Sequence, residues 1–176
     1  GAKLNVSYNC IDRHLETKAN HTAIIFEGDN PNDDLKVTYQ ELHDHVCRLA
    51  NLLKERGVKK GDRVCLYMPM IPETTYAMLA CARIGAIHSV IFGGFSTESI
   101  KARVLDAKCE VVITADQSLR GGKSLPLKSN VDSAVVDCPL VHSVIVVERT
   151  GGDVAYNDKI DIKYAAAVAK QSAVCE

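Results

Sequence analysis

Two short glycine-bearing stretches hold the residue types in this sequence best suited to gripping a ligand. The first is Phe92-Gly93-Gly94-Phe95. Paired glycines let a backbone approach a flat ligand closely, and the helix predicted to start at Ser96 would offer its first amides to an anion. The other reading is a tight strand-to-helix turn with two buried phenylalanines, and on these residues alone that packing turn is the stronger. The second stretch is Arg120-Gly121-Gly122-Lys123, in which two cations flank two residues with no side chain to obstruct a ligand. Arg120 could grip a phosphate in bidentate fashion and Lys123 as a point charge. A solvated surface turn explains the same residues equally well.

Other patterns that look chemical fail on spacing. Gly122-Lys123-Ser124 mimics the end of a G-x-x-x-x-G-K-S/T phosphate loop. Gln117 stands where the first glycine belongs, however, and Pro126 opposes a helix starting at the lysine. Gly93-Gly94 lacks the G-x-G-x-x-G spacing of a dinucleotide turn. His43-Asp44-His45 has metal-ligand types, yet residues two apart on a helix do not share a face, so a solvated helical face is expected. His88 falls inside a strand and is expected to be a hydrogen-bonded core histidine. No Ser/His/Asp, Cys/His or paired-carboxylate set assembles, so no catalytic residue and no metal ligand is assigned.

The elements that must position these loops can be read from periodicity. Ala23 to Phe26 and Leu35 to Val37 flank a turn-rich segment and predict a hairpin. Thr38 and Glu41 form a capping box for a helix with apolar Leu42, Val46, Leu49, Leu52 and Leu53, and Gly57 stands at its C-terminal end. Val64 to Met68 is an apolar run typical of a strand covered on both faces. Pro72 opens a largely apolar helix that ends at Gly85, and Ile87 to Phe92 reads as the next buried strand. Ser96 caps a helix to about Ala107, followed by a strand at Val111 to Thr114, a helix near Asn130 to Val136 and a strand at Val144 to Val147. This alternation predicts an α/β fold: a mainly parallel, doubly wound sheet with helices on both faces. One partial domain is expected, with an opening segment and hairpin over 1–37, a βαβ core over 38–150 and a weakly defined tail over 151–176. Tyr164 to Ala173 in that tail is alanine-rich enough for a helix.

Composition bounds what the surface can do. The chain has 176 residues, 47% hydrophobic and 24% charged, with a formal net charge of -1. Such a balance suits a globular domain and supplies no overall field for nucleic acid or anionic lipid, so any anion site must be local. The seven cysteines are odd in number and unpaired in spacing, and several lie in apolar runs. They read as reduced core residues of a cytoplasmic protein. The one apolar stretch of near-spanning length, Ala77 to Phe95, contains Arg83, His88 and three glycines, so no membrane span is expected.

Four stretches together resemble the amino-terminal region of the acetyl-CoA synthetases and their relatives among the adenylate-forming enzymes. They are Leu4-Asn5 with Asn9-Cys10-Ile11-Asp12-Arg13-His14; Gly61-Asp62-Arg63-Val64 leading into Tyr67-Met68-Pro69-Met70-Ile71-Pro72-Glu73; Gly85-Ala86-Ile87-His88-Ser89-Val90-Ile91-Phe92-Gly93-Gly94-Phe95; and Arg120-Gly121-Gly122-Lys123. The resemblance implies an acetate–CoA ligase acting on acetate, ATP with magnesium, and coenzyme A. It places Phe92, Gly93 and Gly94 by the CoA adenine. Arg120, Gly121, Gly122 and Lys123 fall at the CoA phosphates. One departure is that Gln117-Ser118 replaces an acidic residue and a glycine often found ahead of the basic loop. The family's phosphate loop, later ATP motifs and catalytic lysine are expected beyond Glu176. By this resemblance the chain supplies CoA-binding loops, has no catalysis alone and packs against the rest of a longer protein, with Gly1-Ala2 as a cloning remnant. The rival readings are a free-standing CoA- or nucleotide-binding regulatory module and a purely structural domain.

Overall fold

The computed structural model describes residues 3–176, so the suggested remnant Gly1-Ala2 lies outside the described residues. The chain opens with two short helices, α1 (Val6–Cys10) and α2 (Asp12–Lys18), which the periodicity did not predict because neither carries a sustained apolar stripe. The predicted hairpin follows as β1 (Thr22–Glu27) and β2 (Asp34–Thr38), paired antiparallel from Thr22↔Thr38 to Glu27↔Asp34.

Helix α3 (Tyr39–Glu55) starts on the expected capping box: the Glu41 amide donates to Thr38 Oγ1 at 3.2 Å, and the Thr38 amide donates to Glu41 Oε2 at 2.7 Å. It ends with the Val58 amide donating to Leu53 O and the Gly57 amide to Lys54 O, both at 3.0 Å, with Gly57 at φ 87°. That geometry satisfies carbonyls the helix would otherwise leave open, and its positive φ costs glycine nothing. Beyond it come β3 (Arg63–Met68), α4 (Pro72–Ile84), β4 (Ile87–Phe92), α5 (Thr97–Ala107), β5 (Val111–Ala115), β6 (Ser118–Arg120), β7 (Lys123–Leu125), α6 (Leu127–Val135), β8 (Ser143–Val147), β9 (Asp161–Lys163) and α7 (Tyr164–Val168).

Five of these strands form one parallel sheet in the order β4-β3-β5-β8-β9. Helices α3, α4 and α7 pack together on one face, while α5 and α6 pack together on the other. The expected doubly wound α/β architecture is therefore the one observed. Right-handed crossovers require this division, because the connection from β3 to β4 runs one way along the sheet and that from β4 to β5 runs back across β3. Buried residues run through Val64 to Met68, Val111 to Ala115 and Ser143 to Val147, as three central strands covered on both faces demand.

Several expectations need correction. Strand β4 is an edge of the sheet, with Ile87 and Val90 54% and 53% exposed, and His88 is exposed too and no core histidine. An apolar run does not distinguish a central strand from an edge; strand order does. His43 and His45 do not form a solvated face. The His45 ring stacks flat on Tyr76, with centroids 4.6 Å apart, and burial pushes its pKa down. His43 Nε2 lies 3.5 Å from Cys47 Sγ. The alanine-rich tail contributes a helix over Tyr164–Val168 only, not through Ala173. The segment after it lies along α3, where Asn51 Nδ2 donates to the carbonyls of Ser172 and Val174, each at 2.9 Å. Six of the seven cysteines are buried free thiols, and burial pushes Cys81 up to about 12. No helix among the described residues is long and apolar enough to cross a membrane.

Arg83 near the end of α4 ties the opening helices to the core. It donates to both oxygens of Asp12, at 2.8 and 2.7 Å, and to the carbonyl of Cys175 at 2.7 Å. Burial opposes ionisation of Asp12, but the Arg83 guanidinium outweighs it and holds the carboxyl below its usual range. A depressed native pKa contributes stability that is present above the ordinary carboxylate value of about 4 and is lost as pH falls through the native one. Asp12→Asn is thus expected to lower stability at neutral pH and to flatten its decline below about pH 4, as read from denaturant midpoints across pH. A second expectation concerns Lys108, which ends α5 at φ 51°, with its amide donating to Leu105 O at 3.1 Å. A side chain in this left-handed region is disfavoured, so Lys108→Gly should stabilise the fold by about 0.5–1 kcal/mol in the same denaturation assay.

Candidate functional site

Both glycine-bearing stretches fall at the C-terminal edge of the sheet, beside β3, where the chain's direction of winding reverses. Open α/β sheets place their ligands at such a crevice. The first stretch leaves β4 at Phe92 and enters α5 through Ser96, whose Oγ accepts from the Ser99 amide at 3.4 Å. The Phe95 amide donates to Phe92 O at 3.0 Å and closes the turn. Neither of its glycines has a positive φ, and only at Gly94 would a Cβ meet a close neighbour. A Cβ on Gly93 would lie 3.4 Å from Met68 O, and one on Gly94 would lie 2.8 Å from Phe92 Cε1. The two phenylalanines are not buried: Phe92 is 58% exposed and Phe95 39%. Their rings meet edge to face with centroids 6.0 Å apart. The loop is the tight strand-to-helix turn of the alternative reading, but with its two phenylalanines open.

The second stretch is the tip of a hairpin. Strands β6 and β7 pair antiparallel, Arg120 opposite Lys123, with Gly121 and Gly122 as the two-residue turn. Both glycines have positive φ, 57° and 74°, which a tight two-residue connection requires and which disfavours side chains at either position. No P-loop helix starts at Lys123; it begins β7, and α6 starts only after Pro126. Directly opposed residues of an antiparallel pair project from one face, so the hairpin sets two cations side by side. Like charges so placed repel, and an anion between them relieves the repulsion. Arg120, Gly121, Gly122 and Lys123 are all exposed, and nothing lies within 4 Å of where a Cβ on either glycine would stand.

Tertiary structure joins the two stretches. The Arg120 guanidinium lies over the Phe92 ring, 5.8 Å from its centroid, and Arg103 of α5 lies over Phe95 at 5.2 Å. Two exposed rings with cations above them form one continuous open surface, suited to a flat π system carrying negative charge. The contact that links the two stretches is that of Arg120 with Phe92.

The residues that hold this surface in place were not recognised from the sequence. Asp116, 1% exposed, follows β5 and accepts from the amides of Gln117 at 2.6 Å, Arg149 at 2.9 Å, Thr150 at 3.1 Å and Gly151 at 2.8 Å. It thereby ties the root of the hairpin to the loop leaving β8. Tyr67 at the end of β3 reaches the carbonyls of Gly93 and Phe95. A charged residue directly after an apolar strand was the available signal for Asp116; apart from Gln117, its partners lie more than thirty residues away along the chain. A separate cavity of about 650 Å3 lies among Asn5, Asp12, His43, Arg83 and Cys175. Its Arg83 and Asp12 are already paired with each other, and none of the seven site residues lines it.

This fold recurs in known proteins. The structure of acetoacetyl-CoA synthetase from Streptomyces lividans matches with a TM-score of 0.87 over 98% of this chain and 26% of its own, at 27% identity. Acetyl-coenzyme A synthetase of Saccharophagus degradans is 64% identical over 176 residues, all of this chain and 27% of that protein. Acetyl-coenzyme A synthetase 2 of Pseudomonas aeruginosa is 61% identical over 175 residues, again 27% of its length. The chain thus spans about a quarter of the curated relatives it matches. The family described as AMP-binding enzyme matches residues 11–173, and the chain belongs to it.

Proposed function

We propose that the chain is the N-terminal portion of a cytoplasmic acetate–CoA ligase, and that it contributes the CoA-binding surface. In the whole enzyme acetate attacks ATP to give acetyl-adenylate and pyrophosphate, and the CoA thiol then displaces AMP. Phe92, Gly93 and Gly94 contact the adenine ring of CoA, while Arg120, Gly121, Gly122 and Lys123 hold its phosphates. The observation that carries this reading is the placement of Arg120 over Phe92, which sets a phosphate-binding cation beside an exposed aromatic face. Adenine stacking on an exposed ring and phosphate held by paired cations are the two demands CoA makes, and the residue types here fit both. ATP and magnesium bind residues outside this chain. The open edge of β4, with exposed Ile87 and Val90, packs against the remainder of the protein. A free-standing regulatory module is not favoured, given 64% identity along the entire chain to a synthetase.

With no group assigned to stabilise the reacting phosphorus, the 176-residue chain alone is expected to catalyse neither pyrophosphate exchange into ATP nor acetyl-CoA formation. Acetate-dependent exchange above that of a boiled control would overturn this. The CoA assignment is tested in the full-length enzyme with CoA and 3′-dephospho-CoA. Arg120→Ala should weaken CoA by about tenfold, the lower end for a charged hydrogen bond open to solvent, and should narrow the preference over 3′-dephospho-CoA. Because Arg120 also covers Phe92, a smaller loss is shared by both ligands. Phe92→Ala should weaken both alike. Equal CoA affinity in wild type and Arg120→Ala would make the hairpin a solvated surface turn.

A further inference from the structure

We propose that Tyr67 and Asn130 are a positioning pair that sets the depth and outward face of the Phe92-Gly93-Gly94-Phe95 loop for the CoA adenine. The inference rests on the reading of that loop as the adenine contact, and it concerns residues that do not touch the ligand. Tyr67 is wholly buried, and its backbone is fixed where Thr114 Oγ1 donates to Tyr67 O at 2.8 Å. Its hydroxyl lies 3.1 Å from Gly93 O and 2.9 Å from Phe95 O, one carbonyl on each side of Gly94. A phenol has a single proton, so it donates to one of these carbonyls at a time. The same oxygen accepts from Asn130 Nδ2, 3.3 Å away on α6. That bond occupies the lone-pair side of the phenol and turns its proton towards the loop.

The geometry has a direct consequence for the exposed rings. With the carbonyls of Gly93 and Phe95 drawn inward to Tyr67, the loop sits on β3, where a Cβ on Gly93 would be in van der Waals contact with Met68 O at 3.4 Å. The Phe92 and Phe95 side chains are left facing out. The bond from the Phe95 amide to Phe92 O closes the turn on the end of β4 but gives the loop no hold on β3. The anchor is the Tyr67 hydroxyl. Removing it deprives two carbonyls of their donor and frees the loop to shift while the ring continues to fill its place in the core.

The test uses the full-length enzyme and two readouts: acetate-dependent pyrophosphate exchange, which needs no CoA, and the apparent KM for CoA and 3′-dephospho-CoA in the overall reaction. Tyr67→Phe should raise both KM values alike, about three- to tenfold for the loss of one neutral hydrogen bond, and leave exchange unchanged. Asn130→Ala should act in the same direction and more weakly. The double variant should be no worse than Tyr67→Phe, because both act through one contact. If exchange falls in parallel with CoA affinity, the pair is a general stabiliser and the proposal fails. If Tyr67→Phe leaves the KM for CoA unchanged while Phe92→Ala raises it, the positioning role is overturned and the adenine reading stands. If neither variant moves it, the adenine reading itself falls, and this inference with it. Should Tyr67→Phe not fold, Asn130→Ala, altered at a half-buried helical position, decides by the same measurements.

Discussion

The constraint on which the rest of the structure depends is that three adjacent parallel strands, β3, β5 and β8, are buried on both faces. A parallel strand in that position can present polar groups only at its ends. Its backbone amides and carbonyls are consumed by its neighbours, and its side chains must be apolar to fill both layers. Each fully buried Ile or Leu contributes roughly 1.5–3 kcal/mol. The strands therefore carry the stability, and everything capable of recognition is displaced to the edges. Parallel pairing also points every strand the same way, so the loops after β3, β4, β5 and β8 gather at one edge.

That gathering creates a second problem, which the edge solves with a few buried polar groups. Loop backbones brought together over a core cannot all reach water, and unsatisfied donors or acceptors there are costly. Asp116 answers for the amides of the loop after β8, and Tyr67 for the carbonyls of the loop after β4. Both side chains come from strand ends, where the sheet itself fixes their origin. The glycine loops are consequently held from beneath, and the exposed Phe92, Phe95, Arg120 and Lys123 can face outward without doing the structural work. A surface held in this way loses little further freedom when a ligand settles on it, which is how preorganisation raises affinity.

Local signals were legible wherever the physics was local. The capping box of Thr38 and Glu41, Pro72 in the first turn of α4 and the Ser96 cap each act within about four residues, and each was found where expected. The seven residues of the candidate site were also visible as residue types. Their grouping was not. Phe92 and Arg120 meet because β4 and β5 flank β3, and nothing in either stretch names its neighbour. The same blindness made β4 look central, since Ile87-His88-Ser89-Val90-Ile91-Phe92 reads alike in the middle of a sheet or at its rim. It also hid Tyr67 and Asn130, which are separated by 63 residues and meet only because α6 lies on the face beneath the loop.

The sequence by itself therefore determined the kinds and order of the elements that build the sheet from β3 to β8 and the helices between them, together with the residue types able to grip an aromatic ring or a phosphate, but not α1, α2, the β6–β7 hairpin or β9. Periodicity, capping and backbone dihedral preference are properties of a short segment and survive without knowledge of the rest. Only the tertiary structure decided which strand would be the edge, which loops would share a surface and which buried groups would hold them. Those outcomes follow from how helices are divided between the two faces of the sheet, and so from contacts between segments that lie far apart along the chain.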